Sequence, residues 1–426
     1  MPTKKIVIIL IAVIAIGILV PVFLLTMKTT DTTPPTIQIL SPISTTYIVQ
    51  YININFSTSD SDVDTIWYRI YGNTAGSWID PTNITWTSLS QRTLSQDGSY
   101  TLYVWANDTV GNIANAKIIS FTINALPPTL SILSPINTTY FSQTTQMIIN
   151  LNCPDSDVDM IWYRLYNETD EGWVDPINIT WISSTQKTLS QGGVYTLYAW
   201  ANDTVGHISK AVNITFTMIH EIIYSGNHVF TSTFTVDTYQ KVIFQNGEFS
   251  FTSGTLIIKG ILEMCNITWT SSLTIDADSA LNVTNVTFNN QFRTFGNLIA
   301  SFNNVTFSTD VRLYENSSVS VTDTVFNDFA YAYDSTKLTI TNSWLLGLDF
   351  LGNSEVNMSY CTCSSWGYVS DYSSVILRNF TLLSGGIELW GNASLALINS
   401  TLGQLYRYIM FNSGNFLVDH NAISGT

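Results

Sequence analysis

The sequence predicts an all-β chain: two β-sandwich modules followed by a parallel β-solenoid, behind one apolar N-terminal helix. Three observations carry that prediction. A stretch of roughly ninety residues is written twice between Asp31 and Met218. Beyond Met218, apolar, amide and aromatic residues return every nineteen positions. Apolar residues alternate with polar ones at a period of two, and no 3.6-residue period appears after the N-terminus.

Composition bounds what such a chain can do. Of 426 residues, 45% are hydrophobic and 11% charged, the latter about half the share usual in soluble proteins. There is ample apolar material for cores, so the chain is not a disordered polyelectrolyte. The net charge is −15, with 16 Lys plus Arg. That excludes nucleic acid as a partner, since its phosphates demand a basic footprint. It equally argues against attraction to an anionic membrane surface.

The N-terminus reads "MPTKK" and then "IVIILIAVIAIGILVPVFLL" over residues 6–25. About twenty apolar residues span roughly 30 Å of hydrocarbon as a helix, and Pro21 near the far end is tolerable there. Lys4 and Lys5 precede the run, which sets the N-terminus inside and the bulk of the chain outside a cell membrane crossed once. A cleaved signal segment is the alternative, with a shorter apolar run and a small-residue cleavage site as its usual marks. Residues 1–30 are therefore expected to be an anchor or signal segment.

Four cysteines, Cys153, Cys265, Cys361 and Cys363, show no metal-binding spacing, and the last pair is poorly placed to bridge. They read as small buried apolar residues. The four histidines form no metal-spaced pair.

The duplicated unit begins at "TTPPTIQIL". "PPTIQILSPISTTY" at Pro34 returns as "PPTLSILSPINTTY" at Pro127, "DSDVDTIWYRIY" at Asp60 as "DSDVDMIWYRLY" at Asp155, and "YTLYVWANDTVGN" at Tyr100 as "YTLYAWANDTVGH" at Tyr195. Short alternating strands broken by Pro, Gly, Asn and Asp suggest sandwiches over residues 31–124 and 125–218. In "YTLYVWA", Tyr100, Leu102, Val104 and Ala106 face one way, Tyr103 and Trp105 the other. "DGSY" before that strand has the spacing of a tyrosine corner, whereas the second copy reads "GGVY". These motifs resemble the immunoglobulin-like repeats of bacterial and archaeal surface proteins. That resemblance implies stalks and spacers, sometimes adhesive, rarely catalytic.

Two features of the repeats can carry chemistry. The alternating carboxylates Asp60, Asp62 and Asp64, and Asp155, Asp157 and Asp159 in the second copy, offer hard oxygen ligands for calcium. They lack the glycine turn and terminal Glu of an EF-hand, and a solvated loop is the plainer reading. The second feature is an aromatic excess. Trp67, Tyr103 and Trp105, with Trp162, Tyr198 and Trp200 in the second copy, would form a platform for sugar rings if their strands adjoin. Internal packing, with Arg69 on an indole, is the plainer reading there.

Residues 219–426 follow the nineteen-residue step. Leu262, Leu281, Ala300, Val319 and Leu338 make one column; Met264, Val283, Phe302, Val321 and Ile340 a second; Asn266, Asn285, Asn304, Asp323 and Asn342 a third; Trp269, Phe288, Phe307, Phe326 and Leu345 a fourth. The register then slips through Val356, Val375 and Leu395, with turns such as "DADS", "YENSS" and "LGNSE" ahead of the first column. A step this short suits one coil of a solenoid, in which equal positions stack at about 4.8 Å. The apolar columns become the interior, and the Asn column becomes an inward amide ladder at a bend.

The columns resemble the right-handed parallel β-helix of the pectate-lyase-like superfamily. Polysaccharide-cleaving members cluster acidic residues on the outer face of adjacent coils. Here the outward neighbours of the first column are Asn282, Ser301, Ser320, Thr339 and Asn357, an uncharged face. Asp310, Arg312 and Asp328 are the charged residues that can come together. Catalytic residues are therefore not assigned, and no cofactor beyond possible calcium is expected.

Asn-x-Ser/Thr sequons recur throughout. Those on the ladder, such as Asn285 and Asn304, serve the architecture, and Asn83, Asn107, Asn178 and Asn202 are the expected glycosylation sites. The expected function is that of a non-catalytic surface protein, structural or adhesive, touching glycans or envelope proteins. The alternative is an extracellular carbohydrate-active enzyme, a lyase or hydrolase, on the solenoid.

Overall fold

The computed structural model describes residues 31–365, 367–404, 415–419 and 422–423. The apolar segment expected to anchor the chain lies outside them. Among the described residues every regular element is a strand, and no helix is long and apolar enough to cross a membrane. The chain resolves into two compact units: Met1–Ser131 with Asn152–Trp162 and Ala199–Val212, and Ile132–Leu151 with Tyr163–Tyr198 and Asn213–Thr426.

In the first unit, the first repeat is a two-layer sandwich. One sheet has three strands, with Tyr51–Ser57 between Gln38–Ser41 and Ser90–Thr93. The other has Val63–Gly72 and Gly98–Asp108 at its centre, paired antiparallel, with Lys117–Ile123 beyond. Alternation decides which side is core. Ile52, Ile54 and Phe56 from one sheet meet Ile66, Tyr68, Ile70, Leu102, Val104 and Phe121 from the other, all buried in one cluster. The tyrosine corner is present: the Tyr100 hydroxyl donates to the Gln96 carbonyl at 2.7 Å. Asp97 beside it accepts the amides of Ala125 (2.8 Å) and Leu126 (3.1 Å), holding the chain as it leaves the sandwich.

In the second unit, the Tyr195 hydroxyl makes the same corner with Gln191 at 2.9 Å. Where the first copy has Asp97, this copy has Gly192, and a Cβ there would overlap the carbonyl oxygen of Tyr239. That carbonyl accepts the amide of His220 at 2.9 Å. The corner glycine is therefore a fit to the solenoid that follows. The strand Val212–Ser225 links the two architectures. Thr217–His220 pairs parallel with Thr139–Ser142 of the sandwich, and His220–Ser225 pairs parallel with Gln240–Gln245 of the first full coil. Lys241 clamps the junction between Glu221 (3.4 Å) and Glu263 (3.2 Å).

From there each strand pairs in parallel with its counterpart one coil on. Leu262, Leu281, Ala300, Val319, Leu338, Val356, Val375 and Leu395 stand in one register column, and all are buried. The aromatic column is buried too, with Phe288 stacked on Phe307 at 5.2 Å and Phe307 on Phe326 at 5.1 Å. These are the interior slots expected from the spacing.

The amide column differs from expectation in one respect. Asn266, Asn285, Asn304, Asp323 and Asn342 hold φ between 52° and 55°, a left-handed conformation that Asn and Asp tolerate best among residues with a Cβ. Nδ2 of Asn285 donates to Oδ1 of Asn266 at 3.0 Å, and Nδ2 of Asn304 to Oδ1 of Asn285 at 2.8 Å. These side chains are exposed, not inward as expected. The bend lies at a corner of the coil, and the positive-φ residue turns its Cβ to the outside. A second ladder runs along the turns: Asn297 donates to Asp278 at 2.9 Å and Asn316 to Asn297 at 3.2 Å. All four cysteines are free thiols. Cys361 and Cys363 are buried in the core as expected, whereas Cys153 and Cys265 are only half-buried; burial pushes the Cys363 thiol up to about 11.

Candidate functional site

The "DSDVD" carboxylates do not act together. Asp60 accepts the Thr36 amide and hydroxyl, the latter at 2.7 Å, and Asp64 accepts Nδ2 of Asn107 at 3.2 Å. Only Asp62 joins a cluster, and its partners are Asp31 and Asp108, with one oxygen from each within 4.8 Å of the others. Asp60 and Asp64 bond elsewhere, and the partners of Asp62 come from distant loops. Asp108 belongs to the repeated "ANDTVG" turn, which was the legible signal. Burial pushes Asp108 up, but the Asn112 side chain and the amides of Asn112, Val110 and Gly111 bring its net value below the ordinary one. The Thr33 hydroxyl and amide hold Asp31 low. The hydrogen bond with Asp31, aided by burial, lifts Asp62. A hard divalent cation set among them would find three oxygen ligands.

The second copy lacks this arrangement. Asp155 turns to the Thr129 amide and hydroxyl at 2.6 Å each, and Asp159 to Asn202 at 3.1 Å. Asn124 stands where the first copy has Asp31, and His207 where it has Asn112. His207 Nδ1 lies 2.8 Å from Asp203. Of the six expected ligands, Asp60, Asp64, Asp155, Asp157 and Asp159 are thus outside the three-carboxylate cluster found among the described residues.

The aromatic strands do adjoin. Trp67 pairs with Trp105 and Arg69 with Tyr103 across the sheet, and Tyr103 stacks on Trp105 at 6.0 Å. Sequence reasoning missed the ring that completes this face. Trp78, 38% exposed, abuts Tyr71 and Tyr103 edge-on, each at 5.2 Å, and lies under the Arg69 guanidinium at 4.5 Å. Arg69 also donates to the carbonyls of Asp80 and Pro81 at 2.8 Å. Arg164, Trp173, Asp175 and Pro176 repeat the device, with Arg164 4.2 Å from the Trp173 ring, and Tyr198 abuts Trp173 at 5.6 Å. Trp162, Tyr198 and Trp200 are half-buried. Packing between rings and guanidinium thus accounts for much of this face, and one side of Trp78 and of Trp173 is spent on arginine.

Among the sequons, Asn83 and Asn178 are exposed. Asn107 and Asn202 are half-buried, and each donates its Nδ2, the atom a glycan would take, to Asp64 or Asp159. The geometry therefore favours the first pair.

The solenoid carries a strip that the sequence reading did not align. The outward neighbours Asn282, Ser301, Ser320, Thr339 and Asn357 are uncharged and exposed, as expected, though Lys337 and Glu355 pair at 3.4 Å on the same strands. On the next sheet, however, Arg293, Arg312, Tyr331, Asp349, Tyr368 and Glu388 stand in successive coils in one column. Asp310 accepts Nε of Arg312 at 2.6 Å and Nε2 of Gln291 at 2.9 Å, and Arg312 lies 5.1 Å from the Tyr331 ring. Asp328 accepts the Phe329 amide at 2.8 Å. Asp349 accepts the Tyr368 amide at 3.1 Å, and burial raises its carboxyl above the usual range. Glu388 is only 7% exposed and accepts Nε1 of Trp390 at 3.3 Å. A ridge of stacked rings, Phe295 on Tyr314 (4.9 Å) and Tyr314 on Tyr333 (4.6 Å), flanks the column.

No family model matches the chain. Among curated proteins it is 26% identical over 192 residues to chitinase A1 of Niallia circulans, covering 44% of this chain. The match spans 26% of that protein's length. Solved structures with similarity are fibronectin(III)-like modules of Clostridium thermocellum CbhA (14% identity, 43% of this chain and 94% of that one, TM-score 0.19). Others are the FN1–FN3 domains of chicken CNTN1 (14%, 44% and 68%, TM-score 0.28) and a two-domain fibronectin type III segment of chicken tenascin (13%, 43% and 99%, TM-score 0.23).

Proposed function

We propose that this chain is a non-catalytic cell-surface protein in which tandem sandwich modules present a β-solenoid that contacts glycans. The division read from the sequence goes with it: residues 1–30 as a single membrane span, 31–124 and 125–218 as immunoglobulin-like spacers, and 219–426 as a right-handed parallel β-helix outside the cell. The observation that carries the reading is the outward column Arg293–Glu388, where charged and aromatic side chains gather on one sheet face. Planar polar groups next to rings are what sugar hydroxyls and sugar faces require. The partial match to a chitinase supports a carbohydrate setting. Screening residues 31–426 on a glycan array tests this. Retention of glycans by the wild type and its loss in Tyr331→Ala is expected; an array without any retained glycan overturns it.

One observation favours a second reading, a glycoside-cleaving enzyme. Asp349 and Glu388 are shielded carboxyls two coils apart, with Tyr368 between them. Two steps of about 4.8 Å place them near the upper end of the separation for hydrolysis with inversion, about 6.5–9.5 Å. Release of reducing ends, lost in both Asp349→Asn and Glu388→Gln, would establish it in place of the non-catalytic reading.

A further inference from the structure

The column on the solenoid has two ends of opposite character: Arg293 and Arg312 lead it, and Asp349 and Glu388 close it. Four other arginines on the described residues have partners. Arg69 and Arg164 hold carbonyls and indoles, Arg92 pairs with Asp80, and Arg312 pairs with Asp310. Arg293 makes no ion pair or hydrogen bond to a described residue, yet it is half-buried and its Nε is sealed from solvent. It stands in register with Arg312, one coil away, so two like charges lie about 4.8 Å apart at the backbone. A guanidinium kept in this state is costly unless something supplies its acceptors.

We infer that Arg293, with Arg312 beside it, is an anion-reading subsite for an oxyanion carried on a polysaccharide. The missing partner is an oxyanion able to turn two oxygens toward the guanidinium fork, which grips it in two places. Carboxylate and sulfate share that chemistry. The inference rests on the glycan-contact reading above and adds what the sugar must carry. A polysaccharide fits better than an extended peptide. The stacked ridge Phe295–Tyr314–Tyr333 lines the column, and a peptide strand presents same-side groups about every 6.6–6.8 Å, out of step with the coil spacing. The chain's net charge of −15 opposes polyanions elsewhere, so binding is local to this pair.

Affinity electrophoresis of residues 31–426 through carboxymethyl dextran, dextran sulfate and plain dextran tests the inference, because the three share a backbone and differ in the group it bears. Retardation by one or both charged polymers and none by plain dextran at equal load is expected, and the arm that retards names the oxyanion. R293Q should weaken it about tenfold or more, as loss of a charge-assisted pair does. R378Q removes the same charge from an exposed position on another sheet and should leave binding unchanged. Equal losses in both variants, equal retardation by plain dextran, or competition by poly-glutamate as strong as by the charged dextrans would each overturn the subsite. Should R293Q not fold, hydrogen exchange on the wild type decides. Protection by the charged polymer confined to residues 291–295 and 310–314 supports the site, and protection elsewhere or none refutes it. Glycans retained on the array without any charged-dextran effect would sink this inference and spare the broader reading; no glycan retained anywhere would end both.

Discussion

At the residue scale the recurrent asparagine is explained by backbone conformation before hydrogen bonding. Position 285 sits at φ 55°, where a residue such as alanine pays about 1–2 kcal/mol. Its amide adds a donor to Asn266 and an acceptor for Asn304, each worth about 0.5–1.5 kcal/mol net. Asn285→Ala should therefore cost about 2–5 kcal/mol. Asn285→Gly, which keeps the conformation and loses only the amide, should cost about 1–3 kcal/mol. Urea midpoints measured by far-ultraviolet circular dichroism check the order; equal losses would mean that the backbone conformation contributes nothing. Because Nδ2 is engaged in the ladder, glycopeptide mass spectrometry should find Asn83 and Asn178 occupied and Asn285 and Asn304 bare. The left-handed bend was not visible in the sequence as an angle. It appeared only as a residue preference, which is how a backbone requirement shows itself without coordinates.

At the scale of elements, the difference between the two repeats is as informative as their likeness. Asp97 ties down the segment after the first sandwich, and Gly192 in the same place makes room for Tyr239. Restoring the aspartate with Gly192→Asp should force the junction apart. The expected outcome is a lowered unfolding temperature and faster exchange of the His220 amide, whereas Asp97→Gly should free only the amides of Ala125 and Leu126. The loops also set a pH response. The Thr36 amide and hydroxyl hold Asp60 low, and for Asp155 and Asp203 burial is outweighed by hydrogen bonds from Thr129 and His207 respectively. A carboxyl whose folded value is depressed stabilises the fold fully above its unfolded value, near 3.9, and that contribution is lost as pH falls through the folded value. Asp349 has the opposite sign: its raised value means that acid relieves it. Thermal scans from pH 7 to pH 3 should thus show the sandwiches weakening first below about pH 4. A solenoid transition lost before the sandwich transition would contradict this. Thr36 and Thr129 are distant from Asp60 and Asp155 in sequence, which is why the "DSDVD" run was legible as acidic loop chemistry but not as a particular set of contacts.

At the scale of the whole molecule, continuity of hydrogen bonding matters most. The strand Val212–Ser225 belongs to sandwich and solenoid alike, so the second repeat closes a sheet edge that would otherwise be open. A fragment beginning at Gln240 should be aggregation-prone, while one beginning at Pro127 should remain monodisperse; size-exclusion chromatography separates the two. Calcium belongs to this scale as well, because Asp31, Asp62 and Asp108 come from three separate segments. If the cluster takes the ion, saturating calcium at about one hundred times Kd adds about 2.7 kcal/mol to that unit. Asp62→Asn would abolish the shift, and Asp155→Asn would not.

The sequence by itself determined the period of the solenoid, the identity of its interior columns and the duplication of the sandwich. Each of these is a repetition, and repetition is written along the chain because every copy meets the same packing demand. Only the tertiary structure decided which charged groups meet. The strip from Arg293 to Glu388 and the trio Asp31, Asp62 and Asp108 join residues that share no motif. Loop placement brings the trio together and leaves no period to read, whereas the strip keeps the solenoid's own step and escaped notice because its residue type changes from coil to coil.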